Sequence, residues 1–300
     1  MQITAFRDGT VLSGRQRKSL VLKGQRVVAL CGWTGLATIG SHNTGVWLHG
    51  QLDAMRAVTL PIGIIAKALA ENATLHFAAL PQTDKRCSFA VGGLFVTPAN
   101  TIEPFLCRIT NCECRDGATL PRGVSAKFEV GFELLSRTRR SKHPYLISIM
   151  GDERTALELA LHWRGLRGLL KRRADIRRIG DACLQIARAV ADKQEEKQSK
   201  DPSFVKTVGK NLLLVAVDNL GAVQSLFFSE DGSLTQVLAP DVLSTNVSTR
   251  DVVIDSRINA DGATEIKLRG WFKVDRLPGQ NDPPQALASF SAEPPAVKLG

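Results

Sequence analysis

A chain of 300 residues, 44% of them hydrophobic, has room for one large core or a medium core with an addition, and does not have the composition of a disordered chain. No apolar run approaches the roughly 18–20 residues that cross a bilayer, and the start MQITAFRDGT lacks the basic-then-apolar order of an export signal. A cytoplasmic protein without membrane contact is therefore expected, and the formal net charge of +10 favours an anionic partner. In chain order, Met1–Arg7 and Thr10–Arg15 are extended runs around Asp8-Gly9, a pair that tolerates the positive φ of a tight hairpin turn. Leu20–Leu22 and Arg26–Cys31 form a second strand pair punctuated by Lys23-Gly24, with Gly32-Trp33-Thr34-Gly35 read as the end of this β region. Helical periodicity begins at Ser41 and runs to Met55. A second helix follows Pro61, with Ile62, Ile65, Ala66, Leu69, Ala73 and Phe77 on one stripe and the proline suited to its first turn.

Strands return at Ser88–Val96, Phe105–Thr110, Ala126–Leu134 and Tyr145–Met150. In the third, Phe128, Val130, Phe132 and Leu134 alternate with charged residues, the pattern of an antiparallel sheet with one buried face. Asp152–Lys193 predicts two helices broken near Arg173–Asp175, the second buried through Ile176, Ile179, Cys183, Ile186 and Val190. Lys193–Pro202 is read as a frayed end and loop. Asn211–Val217 and Ala222–Ser229 predict a hairpin across Asn219-Leu220-Gly221, and Val252–Ile258 and Glu265–Val274 a further pair. Grouped strands and grouped helices predict an α+β layered fold in place of a doubly wound parallel sheet.

This order resembles the proteasome β-subunit and its bacterial relatives among the N-terminal-nucleophile hydrolases. The residues that carry the resemblance are Asp8 through Arg17 (DGTVLSGRQR), Arg26–Ala37 (RVVALCGWTGLA), and Val208-Gly209-Lys210-Asn211 with the strand after it. It implies a four-layer α-β-β-α sandwich of two antiparallel sheets over residues 1–235, with 236–300 as a C-terminal extension. It also implies association with further copies or sister subunits through the helical layers. The family's nucleophile is an N-terminal Thr activated by its own amino group, with a Lys and an Asp in support. Here the Thr position falls before Met1, the Asp position is occupied by Arg15, and only Lys18 stands where the family's Lys is expected. Thr4 would reach a chain terminus only after processing. The resemblance thus implies a divergent subunit acting through assembly. The alternative is an active amide-bond hydrolase whose mature N-terminus is not Met1.

Other residues carry weaker signals. Among the six cysteines, only Cys107, Cys112 and Cys114 cluster, and with no second pair the ligand set for zinc is incomplete, so no metal or other cofactor is expected. His42 and His49 would share a face if both lay on one helix, but two turns separate them by about 10 Å, too far to ligate one ion. Gly92-Gly93 lacks the Lys-Ser or Lys-Thr of a phosphate loop. Finally, Arg164, Arg167, Lys171 and Arg178 fall near one helical face, with Asp175 as the local counter-charge. They make a candidate surface for nucleic acid or another polyanion, although no aromatics are interleaved for base stacking.

Overall fold

The structure is a computed structural model that describes residues 6–7, 10–11, 18–36, 38–39, 41–81, 85–97, 99–112, 125–135, 145–147, 150, 159–172, 174–203, 212–217, 223–228, 236–238, 240–245, 247–258 and 264–274. Strands β1 (Phe6–Arg7) and β2 (Thr10–Val11) pair antiparallel, Phe6 opposite Val11 and Arg7 opposite Thr10, while the predicted turn at Asp8-Gly9 lies outside the described residues. Next come β3 (Ser19–Lys23) and β4 (Val27–Gly35), an antiparallel hairpin. The strand continues through Gly32-Trp33-Thr34 where a turn was predicted. It stops at Gly35, whose φ of 91° is open to glycine and strained for other residues. A small ladder of β5 (Thr38–Ile39) and β6 (His42–Asn43) leads into helix α1 (Thr44–Ala54), capped by the Asn43 side chain accepting from Val46 N. Pro61 stands one residue before α2 (Ile62–Ala78), and its carbonyl accepts from Ile64 N and Ile65 N. Strands β7 (Cys87–Val96), β8 (Ile102–Thr110) and β9 (Glu129–Leu134) follow in antiparallel succession. Residues 145–147 and 150 form no regular strand.

Helices α3 (Ala160–Lys171) and α4 (Ile176–Lys200) are broken where the sequence predicted, with Asp175 capping the second by accepting from Arg177 N and Arg178 N. The predicted fraying at Lys193 does not occur. Lys, Glu and Gln are good helix formers, and the spacing of Glu196 and Lys200 adds an i,i+4 ion pair. Strands β10 (Leu212–Val217) and β11 (Val223–Phe228) make the predicted hairpin. Strands β12 (Gln236–Leu238), β13 (Asp241–Ser244), β14 (Val247–Ile258) and β15 (Thr264–Val274) complete the described chain.

The fold is mixed α and β, and its centre is one nine-stranded sheet ordered β12-β14-β13-β3-β4-β7-β8-β9, with β15 on the other side of β14. The C-terminal strands extend this sheet by a parallel pairing of β13 with β3, which departs from the all-antiparallel expectation. A parallel neighbour requires a long crossover, and the chain between β3 and β13 provides one. On one face, α1 and α2 cover Val27, Ala29, Cys31 and Trp33 of β4, Phe89 and Val91 of β7, and Cys107 and Ile109 of β8. The predicted α2 stripe is buried at every position. Phe77 anchors this core, meeting Phe128 (centroids 5.1 Å), Trp47 (5.7 Å) and Phe89 (6.4 Å) edge-on.

Two predicted apolar faces are covered only in part. Just before β9, Phe128 N donates to Thr74 Oγ1 of α2 at 3.0 Å, but toward the far end of the strand Phe132 is 40% and Leu134 45% exposed. A second, smaller cluster joins Leu159, Leu166 and Trp163 of the α3 segment to Ile179, Cys183, Ile186 and Val190 of α4. Strand β10 lies against β4, and α4 lies against β10.

Candidate functional site

Lys18 immediately precedes β3, and its carbonyl accepts from Trp33 N at 3.4 Å, which fixes its backbone beside β4. Removal from water lowers its ammonium pKa to about 8, an effect opposed by the nearby Cys87 thiol. A lysine in this state is partly neutral in mildly alkaline solution and can exchange a proton there. The residues that the family resemblance would place around it, Thr4 and Arg15, lie outside the described residues.

A second constellation was not visible in the sequence. His42 is not on a helix with His49, as the periodicity predicted. It lies on β6, before the cap of α1. Its partner is His76, which α2 brings across 34 residues of chain. Thr44 Oγ1 donates to Leu36 O at 2.6 Å, so it must accept from His42 Nε2 at 3.0 Å. His42 is then the tautomer with an acceptor at Nδ1, and His76 Nε2 donates to it at 3.0 Å. Trp47 stacks on His76 with centroids 5.1 Å apart. Burial, with His76 as a neighbour, lowers the His42 pKa to about 4, and burial lowers that of His76 as well. The chain His76–His42–Thr44–Leu36 is thus directional and neutral. Thr44 is fully buried, so this arrangement joins the entry of α1 to the end of α2 and does not present a nucleophile.

On the opposite face of the sheet, Ser88 Oγ shares a 2.6 Å hydrogen bond with Thr110 Oγ1, directly across from it on β8. Cys112 completes the group, with Sγ 3.4 Å from Ser88 Oγ and its amide donating to Thr110 Oγ1. Cys107 does not join Cys112. It points into the helix-covered core, where burial raises its thiol pKa to about 12, as it does for Cys31. Cys114 lies outside the described residues, and among those described no three His, Cys, Asp or Glu side chains gather as metal ligands.

The basic residues divide between two helices. Arg164, Arg167 and Lys171 are exposed on α3, while Arg178 stands in the first turn of α4 and pairs with Asp175 at 3.4 Å. The single face predicted for all four is therefore broken at 172–175, because Asp175 starts a new helix. Among the described residues no helix is long and apolar enough to cross a membrane. The chain matches no protein-family model, no curated protein and no solved structure.

Proposed function

We propose that this chain is a divergent proteasome-like subunit that acts by assembly with copies of itself or with sister subunits. The observation that carries the reading is the order of its elements up to β11: two hairpins and the short β5–β6 ladder, two helices, three strands, two helices and a further hairpin, after which come the four strands β12–β15. Contacts of β10 with β4 and of α4 with β10, together with the cover of α1 and α2 over one face of the main sheet, are compatible with the stack of two sheets between helical layers that the family resemblance implies. In that reading α1–α2 and α3–α4 are the outer layers through which subunits meet. Multi-angle light scattering tests it: a discrete oligomer at micromolar concentration is expected, and a strict monomer refutes it.

A second reading, amide-bond hydrolysis from a processed N-terminus, draws on Lys18. A desolvated lysine with a pKa near 8 is the kind of group that assists an N-terminal nucleophile. Mass spectrometry of the mature protein decides it. An N-terminal Thr that takes up a hydroxyl-reactive electrophile supports hydrolysis, whereas an intact Met1-Gln2 without labelling removes it.

A further inference from the structure

The outward face of α3 combines two features that internal packing does not require. The first is charge. At 100° per residue, Leu159, Trp163, Leu166 and Leu170 form the stripe packed on α4, and Arg164, Gly168, Lys171 and Arg172 point the opposite way, with Arg167 at the margin. The helix itself carries no carboxylate. At the elbow, Asp175 is already engaged with two α4 amides and with Arg178. The second feature is absence of bulk. Gly165 and Gly168 sit in the middle of α3, where glycine destabilises a helix, yet a Cβ built on either meets nothing within 4 Å. Among the described residues, neither glycine makes room for the chain's own atoms. Gly168 lies between Arg164 and Lys171, so the surface among the cations is bare backbone open to close approach.

We propose that this face docks on the sugar-phosphate backbone of duplex nucleic acid, without reading its sequence. Guanidinium forks and an ammonium spread over about 10 Å of helix can each meet a phosphate, and the glycine floor lets the strand come close. A duplex is favoured over a single strand because the outward face carries no aromatic side chain. Trp163 is packed toward α4, and exposed His162 stands at the margin away from Arg164 and Lys171, so no ring lies among the cations to stack unpaired bases.

Fluorescence anisotropy of the full chain with a labelled 20-base-pair DNA duplex, and with one of its strands alone, tests this. About three phosphate contacts give a log–log salt slope of about −2.7, or roughly a 40-fold loss of affinity between 50 and 200 mM salt. Arg164→Glu with Arg167→Glu should weaken duplex binding at least tenfold and bring the slope toward about −1. Gly165→Ala with Gly168→Ala is the sharper variant, because it should raise the thermal midpoint and yet weaken binding several-fold. Undetectable duplex binding at 50 mM salt, a flat salt dependence, equal or tighter binding of the single strand, or unchanged affinity in the alanine pair would each overturn the proposal. Retention on phosphatidylserine vesicles with no duplex binding would overturn it as well.

Discussion

The helix-covered sheet and the α3–α4 pair solve the same packing problem with different amounts of material. The first gathers aromatics around Phe77 and draws polar groups in with them: Thr44 is fully buried and His42 nearly so. The second rests on Leu159, Leu166, Ile186 and Val190, with its cations facing water. In the sheet region polar chemistry is altered by burial, which moves the protonation of Lys18 and His42. In the helix pair the basic side chains of α3 stay at the surface, available as a field. A chemical role for this chain belongs to the first region and an electrostatic one to the second.

The largest expected effect tests the difference in core size. Phe77→Ala should cost about 3–5 kcal/mol in urea unfolding, because Trp47, Phe89, Phe128 and the two histidine rings lose a partner and a cavity is left among them. Ile186→Val in the smaller cluster should cost about 0.5–1.5 kcal/mol. Equal losses would mean that the two clusters unfold as one core. Lys18→Met should act in the opposite direction, stabilising the chain at pH 7 by up to about 3 kcal/mol, since a desolvated ammonium opposes folding. The sign follows from the lowered pKa. Below about pH 8 the penalty is complete, and between pH 8 and 10.5 the folded chain releases its proton before the unfolded one does. The advantage of Lys18→Met should therefore shrink over that window. An advantage constant with pH would show that Lys18 is solvated.

Local elements of both regions were legible in the sequence wherever one short-range rule governs them. The α2 stripe, the β1–β2 pairing, the Lys23-Gly24 turn and the break at Asp175 each depend on residues within a few positions of one another. The rest depends on contacts between distant segments. His76 was hidden because its partner lies 34 residues away and its neighbour Phe77 dominated the pattern. Phe132 and Leu134 follow a perfect alternation, yet both are exposed, which alternation does not encode. Pairing of β13 with β3 joins segments more than two hundred residues apart, beyond the reach of periodicity. Of the predicted site residues that the structure describes, Lys18 alone acquires a distinctive environment, and Arg178 leaves its predicted group because the cap at Asp175 outweighs a continuous basic face.

Acid provides the next test. Both histidines are held neutral in the fold, so an unfolded chain takes up protons from about pH 6.5 while folded His42 resists until about 4. Stability from this source is complete above pH 6.5 and is lost as the pH falls toward 4, by about 2–3 kcal/mol for His42 in full. His76 contributes in the same direction. Urea midpoints of the wild type and His42→Gln from pH 7.5 to 4.5 isolate the effect from the carboxylates common to both. The gap between the two proteins should narrow steadily on acidification. A gap independent of pH would show that the histidine chain is not neutral in the fold.

The smallest effect concerns how firmly that chain is tied to α1. Asn43 lies between His42 and Thr44 and caps the helix through a 3.1 Å bond from Val46 N. Asn43→Ala should cost about 1 kcal/mol as an isolated cap. Its position gives the change a second consequence. Fraying of the first turn frees Thr44, and without Thr44 donating to Leu36 O the direction of the His42–His76 bond is no longer fixed. His42 then has less to lose on protonation, so the acid-sensitive part of the stability should fall together with the cap. Asp175→Ala removes the corresponding cap from α4, where no buried titratable chain follows, and should lower stability equally at pH 7.5 and 5.5. If both cap variants show the same pH dependence, the coupling of helix start to histidine chain is absent, and the sheet region handles its polar groups no differently from the helix pair.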